Sequence, residues 1–537
     1  MLTRGPLLRV IAFCITARPA IHSAVVHART SVAPDLQTAE ENAPHIFNAI
    51  HSAGRQWGSA IYHNGLSFIP AIMPEGTLLY HGAQTANRPA EPEWLAFGVE
   101  HAEAFAVSAK NGTRNFLGQD DSTSSAHDQA QKPMSGIKGE LAENDARFPG
   151  YLHTYRANRD LNLLYVDGMS AAKTLMGTLD TQDLVLRENQ TSESRPSFMG
   201  ERGRVESICN LLAQWGYDGL MRMEIGFEVV YCDFEKGLDL VMQTRTSGSE
   251  NPSVDVRDVS YRDLFQWTRA VSEQYDGIGG DRVRLDFSSM VSGYFFPVNI
   301  SSTDPNRPDL HRLAAASLDE LKDIKAYLRN VATKARRFTV HWQATVDMIV
   351  TRYARRLSLL AEAKQPLDLV KSELRVATQM YINAPARPEG ISVQEESGHN
   401  QTAEALRLCR QHYLLPAYIH QNIWSLEDKL IHTAIQSVMS DICETLFSAY
   451  DIVHEDSAND TARLKQLNDS QNLVAALKKR LAWTMWRKPE LCAVDEILLT
   501  VMWPLGSSED YWHPGCHSYK EISFERRGYW EPDMFRI

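Results

Sequence analysis

The feature that most constrains this chain is a change of hydrophobic period near residue 302. Before it, apolar residues come in short runs broken by turn residues, as in "SFIPAIMPEGTLLYHG" (Ser67–Gly82). Runs of this length, punctuated by Pro and Gly, read as strands and turns. After it, apolar residues recur at helical spacing. Ser317–Glu320 ("SLDE") reads as a capping box, followed by Leu321, Ile324, Leu328, Val331 and Ala335. Ser425–Asp428 ("SLED") opens a second stripe through Ile431, Ile435, Val438, Ile442 and Leu446, and Asn472–Lys488 gives a third helix. The linker-like "STDPNRPDL" (Ser302–Leu310) lies between the two regimes. The fold class expected is therefore a mixed α+β N-terminal domain followed by a mainly α-helical C-terminal domain. The α+β domain is placed at 35–300, with long polar loops at 113–149 and 188–204, and the helical domain at 307–537.

Inside the first domain, Asp35–Ser59 reads as amphipathic helix and Val99–Lys110 as a short helix. Gly150–Gly168 ("GYLHTYRANRDLNLLYVDG") reads as two strands joined by a polar turn. "SAAKTLM" is a helix start, and Val205–Gly216 is a helix ending on glycine. A buried strand is expected around Phe227–Cys232, and one or two more at Arg282–Ile300.

The composition is that of a globular protein, 43% hydrophobic and 23% charged over 537 residues. A net charge of −12 argues against a general nucleic-acid or anionic-membrane binder. No later segment is long and apolar enough to span a membrane. At the N-terminus, Arg4 and Arg9 precede the apolar run Val10–Ala17, and small residues follow at Ser23, Ala24 and Ala28. Residues 1–28 thus have the layout of a signal peptide or leader, and the expected localisation is secreted. Removing them removes Cys14 and leaves Cys209, Cys232, Cys409, Cys443, Cys492 and Cys516. An even number suits disulfides, with pairs expected inside each part of the chain and Cys492 and Cys516 stapling the tail. Sequons at Asn111, Asn189, Asn299, Asn400, Asn459 and Asn468 suit a glycoprotein. No metal site is expected, because His63, His81, His101 and His153 lack ligand spacing.

Candidate chemistry starts at Tyr80-His81-Gly82, where a strand ends. The element "EWLAF" and the helix "EHAEAFA" follow, then "LNLLYVDG", then "GYDGLMRMEIGFEVVYCDF". This order, over about Leu78–Phe234, resembles the ADP-ribosyltransferase-like fold of the toxins and poly-ADP-ribose polymerases. The resemblance implies a split sheet and NAD as substrate. It implies that Glu228 stabilises the oxocarbenium-like ribose, with Glu224 the other carboxylate open for that role, and that His81 bonds the ribose. Tyr80 and Gly82 would let the dinucleotide approach, and Trp94 or Phe97 would stack on nicotinamide. "EWLAF" departs from the family, which carries a Tyr or Ser-x-Ser there. The chain as a whole also resembles uncharacterised secreted proteins of filamentous fungi, notably in "NLLYVDGMSAAKTLMGTLDTQD" and "RMEIGFEVVYCDFEKGL".

Two other readings stay open. Gly168-Met169-Ser170 is a variant nucleophile elbow, which would make Ser170 the nucleophile of a hydrolase with Asp218 or Asp233 and His311 or His341. The chain is otherwise a secreted binding or structural protein, its partner an unknown protein or small molecule and its oligomeric state unknown.

Overall fold

A computed structural model describes residues 31–103, 105–108, 148–188, 200–246, 268–269, 276–279, 281–383, 398–456, 459–488, 492–503, 506–518, 520–521 and 528–530. The leader, the sequons at Asn111 and Asn189, and most of the two long polar loops lie outside the described residues.

Three short helices come first: α1 (Leu36–Glu41), α2 (Ala43–Ser52) and α3 (Gln56–Ile61). Asp35 caps α1, its carboxylate accepting from the Thr38 amide at 2.9 Å. The sheet strands follow as β1 (Asn64–Met73), β2 (Leu78–Ala83), β3 (Glu93–Ala96), β4 (Tyr151–Ala157), β5 (Leu161–Gly168), β6 (Gly219–Met223), β7 (Phe227–Tyr231) and β8 (Leu238–Arg245). They form a ten-stranded sheet in the order β8-β4-β2-β3-β7-β6-β5-β1, and Arg284–Leu285 and Val291–Ser292 both pair with β1. Nearly every residue of β1 and β5 is buried, so neither sheet face at these strands meets water. That is why both read as continuous apolar runs rather than as alternating ones.

β5 and β6 run parallel. A parallel pair needs a crossover, and residues 169–218 supply it. The crossover carries a π-helix at Thr181–Leu186 and helix α5 (Glu201–Trp215). "SAAKTLM" is not a helix start. It is a turn, because Thr178 Oγ1 bonds the Ala172 carbonyl at 2.7 Å and the Ser170 hydroxyl bonds that of Val166 at 2.9 Å. Helix α4 is also shorter than expected, Val99–Glu103.

The C-terminal region is mainly helical: α6 (Leu318–Ala332), α7 (Trp342–Leu360), α8 (Leu367–Thr378), α9 (Gly398–Gln411), α10 (Leu426–His454) and α11 (Asp460–Leu481). Both expected capping boxes form, at Ser317/Glu320 and Ser425/Asp428. The long α10 touches α1, α2, α8, α9 and α11. Val32–Ile537 form one compact unit, and its main apolar core runs from Ala39 through the sheet to Trp530.

Three disulfides close Cys209–Cys232, Cys409–Cys443 and Cys492–Cys516. Each lies inside its own part of the chain, and the last holds a small two-stranded sheet, β9 (Glu496–Leu499) with β10 (Gly515–Ser518). Among the described residues no helix is long and apolar enough to cross a membrane.

Candidate functional site

The segments that carry the predicted site are neighbouring strands, β2, β3 and β7. Their register decides what the side chains can do together. Tyr80 pairs with Ala96, Ala96 with Glu228, and Glu228 with Arg222. Paired residues share a face and successive residues alternate. Tyr80 and Glu228 therefore point one way and His81 points the other.

On its face, His81 pairs with His153, and its ring lies 6.2 Å from that of His153 and 5.9 Å from Phe234. Its Nδ1 sits 2.9 Å from the Trp94 carbonyl. Burial, with His153 beside it, pushes the imidazole down to about 4, so it is neutral at ordinary pH. Gly82 is a glycine because the turn after α4 lies on β2: an added Cβ would stand 2.1 Å from the Ala102 carbonyl oxygen. Trp94 is packed against Phe105 and His101, with ring centres 4.8 and 5.6 Å away. Phe97 is buried with the Arg282 guanidinium 5.4 Å over its ring. Neither aromatic ring is left free to stack on nicotinamide, and the close approach at Gly82 is already taken by the chain itself.

Glu228 belongs to a different constellation. It is wholly buried, and Arg222 Nε donates to its Oε1 at 2.8 Å. Arg222 also donates to Glu201 and, at 3.2 Å, to Gln182 Oε1. Arg204 donates to Glu201 at 2.7 Å and, through two nitrogens, to Asp183 at 2.9 and 3.0 Å. Lys173 Nζ lies 3.2 Å from Glu224 Oε1, with the Trp503 ring 5.3 Å away. Burial pushes the Glu224 carboxyl up, opposed by Lys173. Burial would raise Glu201 as well, but Arg222, Lys173 and Arg204 together hold it well below the usual carboxylate range. The cations Lys173, Arg204 and Arg222 thus face the carboxylates Glu201, Glu224, Glu228 and Asp183 in a dry network. The network joins the β6–β7 hairpin to the π-helix and the start of α5. Sequence reading singled out Glu224 and Glu228 but missed their partners. The visible signal is "RMEIGFE", where Arg222, Glu224 and Glu228 interrupt the otherwise apolar β6–β7 hairpin.

Ser170 is not a nucleophile elbow. Its hydroxyl is spent on the Val166 carbonyl and the residue is fully buried. The aspartates proposed for it are paired with cations, and the histidines lie beside other elements. Asp218 takes Arg159 at 2.6 Å, Asp233 takes Lys236 at 2.7 Å, His311 lies 4.3 Å from the His45 ring, and His341 stands exposed at the start of α7.

A second polar place lies where β5 ends beside the start of β1. Gly65 and Gly168 let the two strands meet closely. A Cβ on Gly65 would stand 1.9 Å from the Asp167 carbonyl oxygen, and Gly168 has φ of +68°. Around this crossing a cavity of about 30 Å³ is lined by His45, Asn48 and Ser52 of α2, Ser59 of α3, Tyr62, Asn64, Asp167 and Tyr294. Asp167 accepts from the Ser67 amide at 2.7 Å, and burial pushes its carboxyl up to about 7. Asn48 donates to the Leu481 carbonyl at 2.9 Å and Asn64 to that of Met176 at 2.7 Å. Their amide oxygens and the Ser52 hydroxyl have no partner among the described residues.

Residues 36–257 match the model of the YPL277C N-terminal domain family. The chain is also similar, at 26% identity over 546 residues, to the uncharacterized protein YOR389W of Saccharomyces cerevisiae, with 89% of this chain and 84% of that protein covered. It is 28% identical over 404 residues to the uncharacterized protein YPL277C of the same yeast, covering 64% of this chain and 79% of that protein. No solved structure matches the chain at a significant level. These similarities are to uncharacterised yeast proteins, and they do not support the transferase resemblance. The matched stretch includes every residue named above as lining the cavity except Tyr294.

Proposed function

We propose that the chain is an exported, disulfide-braced protein that acts by binding rather than by ADP-ribosyl transfer from NAD. The environment of Glu228 carries this reading. A transferase carboxylate must face the ribose alongside the strand-end histidine. Glu228 instead neutralises Arg222 in a dry network, and the strand register turns it away from His81. Export is supported by three disulfides, which persist in oxidising compartments. Binding is supported by exposed aliphatics on the short 3-10 stretch that follows α9, where Leu415, Ile419 and Ile423 are 56%, 75% and 61% exposed. Exposed aliphatics grouped in this way mark interaction surfaces.

The test is thermal unfolding of the full chain with and without millimolar NAD. A ligand of the native state raises the melting temperature. The expected result is no change. A rise with NAD that disappears in Glu228→Gln overturns the reading and restores the transferase.

A further inference from the structure

The cavity beside Asp167 gathers buried oxygens that have no partner among the described residues. The amide groups of Asn48 and Asn64 are oriented by the backbone carbonyls they serve, so their NH₂ ends point at Leu481 and Met176 and their oxygens are left over. The Ser52 hydroxyl is likewise unspent. All three residues are more than nine-tenths buried. With the Asp167 carboxylate they make an acceptor-rich chamber, and no Lys or Arg lines it. Buried oxygens left without a partner are costly, so the chamber suits a guest that brings donors or positive charge.

Size narrows the guest. A volume of about 30 Å³ admits one or two water-sized bodies and no organic ligand. Charge narrows it further, because a single carboxylate with neutral oxygens suits a singly charged ion better than Ca²⁺ or Mg²⁺. In keeping with this, the described residues hold no group of three His, Cys, Asp or Glu disposed for a metal. We propose that the chamber is a monovalent-cation site, in which Asp167 supplies the charge and the oxygens of Asn48, Asn64 and Ser52 complete the shell around Na⁺, K⁺ or ammonium.

The groups facing Asp167 leave it to set the pH response. His45 is held down to about 4 by burial and by His311, which is itself lowered by burial. Tyr165 and Tyr294 are raised by burial and by Asp167. None of the four changes charge between mildly acidic and mildly alkaline pH.

The experiment is urea unfolding of the full chain in NaCl, KCl, NH₄Cl or tetramethylammonium chloride at constant ionic strength, the last ion being too large for the chamber. At about pH 8 the fitting ion is expected to lower the apparent unfolding constant up to tenfold for each tenfold rise above its Kd. The ion with the steepest effect identifies the occupant. At about pH 5 the dependence weakens, because a carboxylate ligand must be deprotonated to hold the ion. Asp167→Asn abolishes the dependence, and Ser52→Ala weakens it several-fold. Superimposable curves in all four chlorides at the higher pH, the behaviour of a chamber filled with water, overturn the proposal. So does full dependence in Asp167→Asn. If that variant does not fold, Ser52→Ala decides, and a response equal to wild type overturns the site.

Discussion

At the scale of single residues, the sheet separates what the sequence had put together. His81 and Glu228 were both legible as unusual residues in apolar runs. Whether they meet depends on parity across three strands, and that parity is set by one pairing, Tyr80 with Ala96, which no short motif encodes. The consequence for Glu228 is measurable. Glu228→Gln keeps the shape but removes a counter-charge from the buried Arg222, and breaking such a pair costs about 3–5 kcal/mol. A large fall in the urea midpoint is expected, and a shift equivalent to less than about 0.5 kcal/mol would place Glu228 outside the network. Acidity gives a second handle. Asp167, at about 7, binds its proton more tightly in the folded than in the unfolded chain, where its pKa is near 3.8. Without a bound cation its contribution to stability is therefore greatest at low pH and is lost as pH rises from about 4 to 7. The difference between wild type and Asp167→Asn, followed by urea unfolding across that window in tetramethylammonium chloride, should fall with rising pH. A flat difference would mean that the carboxyl is not buried as described.

At the scale of elements, stripes of aliphatic residues were easy to read and polar burial was not. Helix α11 runs Asp460–Leu481, not Asn472–Lys488. Its buried face includes Ser470 and Gln471, which break the apolar period of its first half. Ser470 bonds the Ala449 carbonyl at 3.3 Å and the Gln471 amide NH₂ that of Glu362 at 2.7 Å, so each anchors the helix through a polar contact in the core. The helix stops where Ala482 turns left-handed at φ +48°, and the residues behind it form a short 3-10 turn. The π-helix at Thr181–Leu186 was hidden for the same reason, since Thr181 and Gln182 are buried. Capping was legible because it is chemical rather than periodic. Ser425 accepts from the Asp428 amide at 2.9 Å and donates to the Ser288 carbonyl at 3.0 Å, so it both starts α10 and fastens it to the 3-10 turn at Phe287–Ser289. Ser425→Ala should cost about 1–2 kcal/mol in a melting experiment. A loss below about 0.3 kcal/mol would show that Asp428 caps the helix alone.

At the scale of the whole molecule, the fold class followed from the change of hydrophobic period, but the joining of the two regions did not. The first helices leave the sheet and pack on α10, and Arg55 clamps Asp347 of α7 through two hydrogen bonds at 2.7 and 2.6 Å. No local pattern announces a contact between residues so far apart in the chain. Asp347→Asn should lower stability by about 1–3 kcal/mol near neutral pH. Arg55 and His51 oppose burial and hold the Asp347 carboxyl below its ordinary value of 3.8, so the gap between wild type and variant should close as pH falls below about 4. A gap independent of pH would mean that the pair carries no charge. The disulfides act at a shorter range than this clamp. They span 23, 34 and 24 residues, and each joins elements that already adjoin in the fold. By loop entropy each is worth about 3–4 kcal/mol. Six cysteines allow roughly 15 pairings, most of them linking distant parts of the chain. Because each native bond joins near neighbours in sequence, a nascent chain emerging into an oxidising compartment can close its cysteines in the order in which they appear, with little need for later reshuffling.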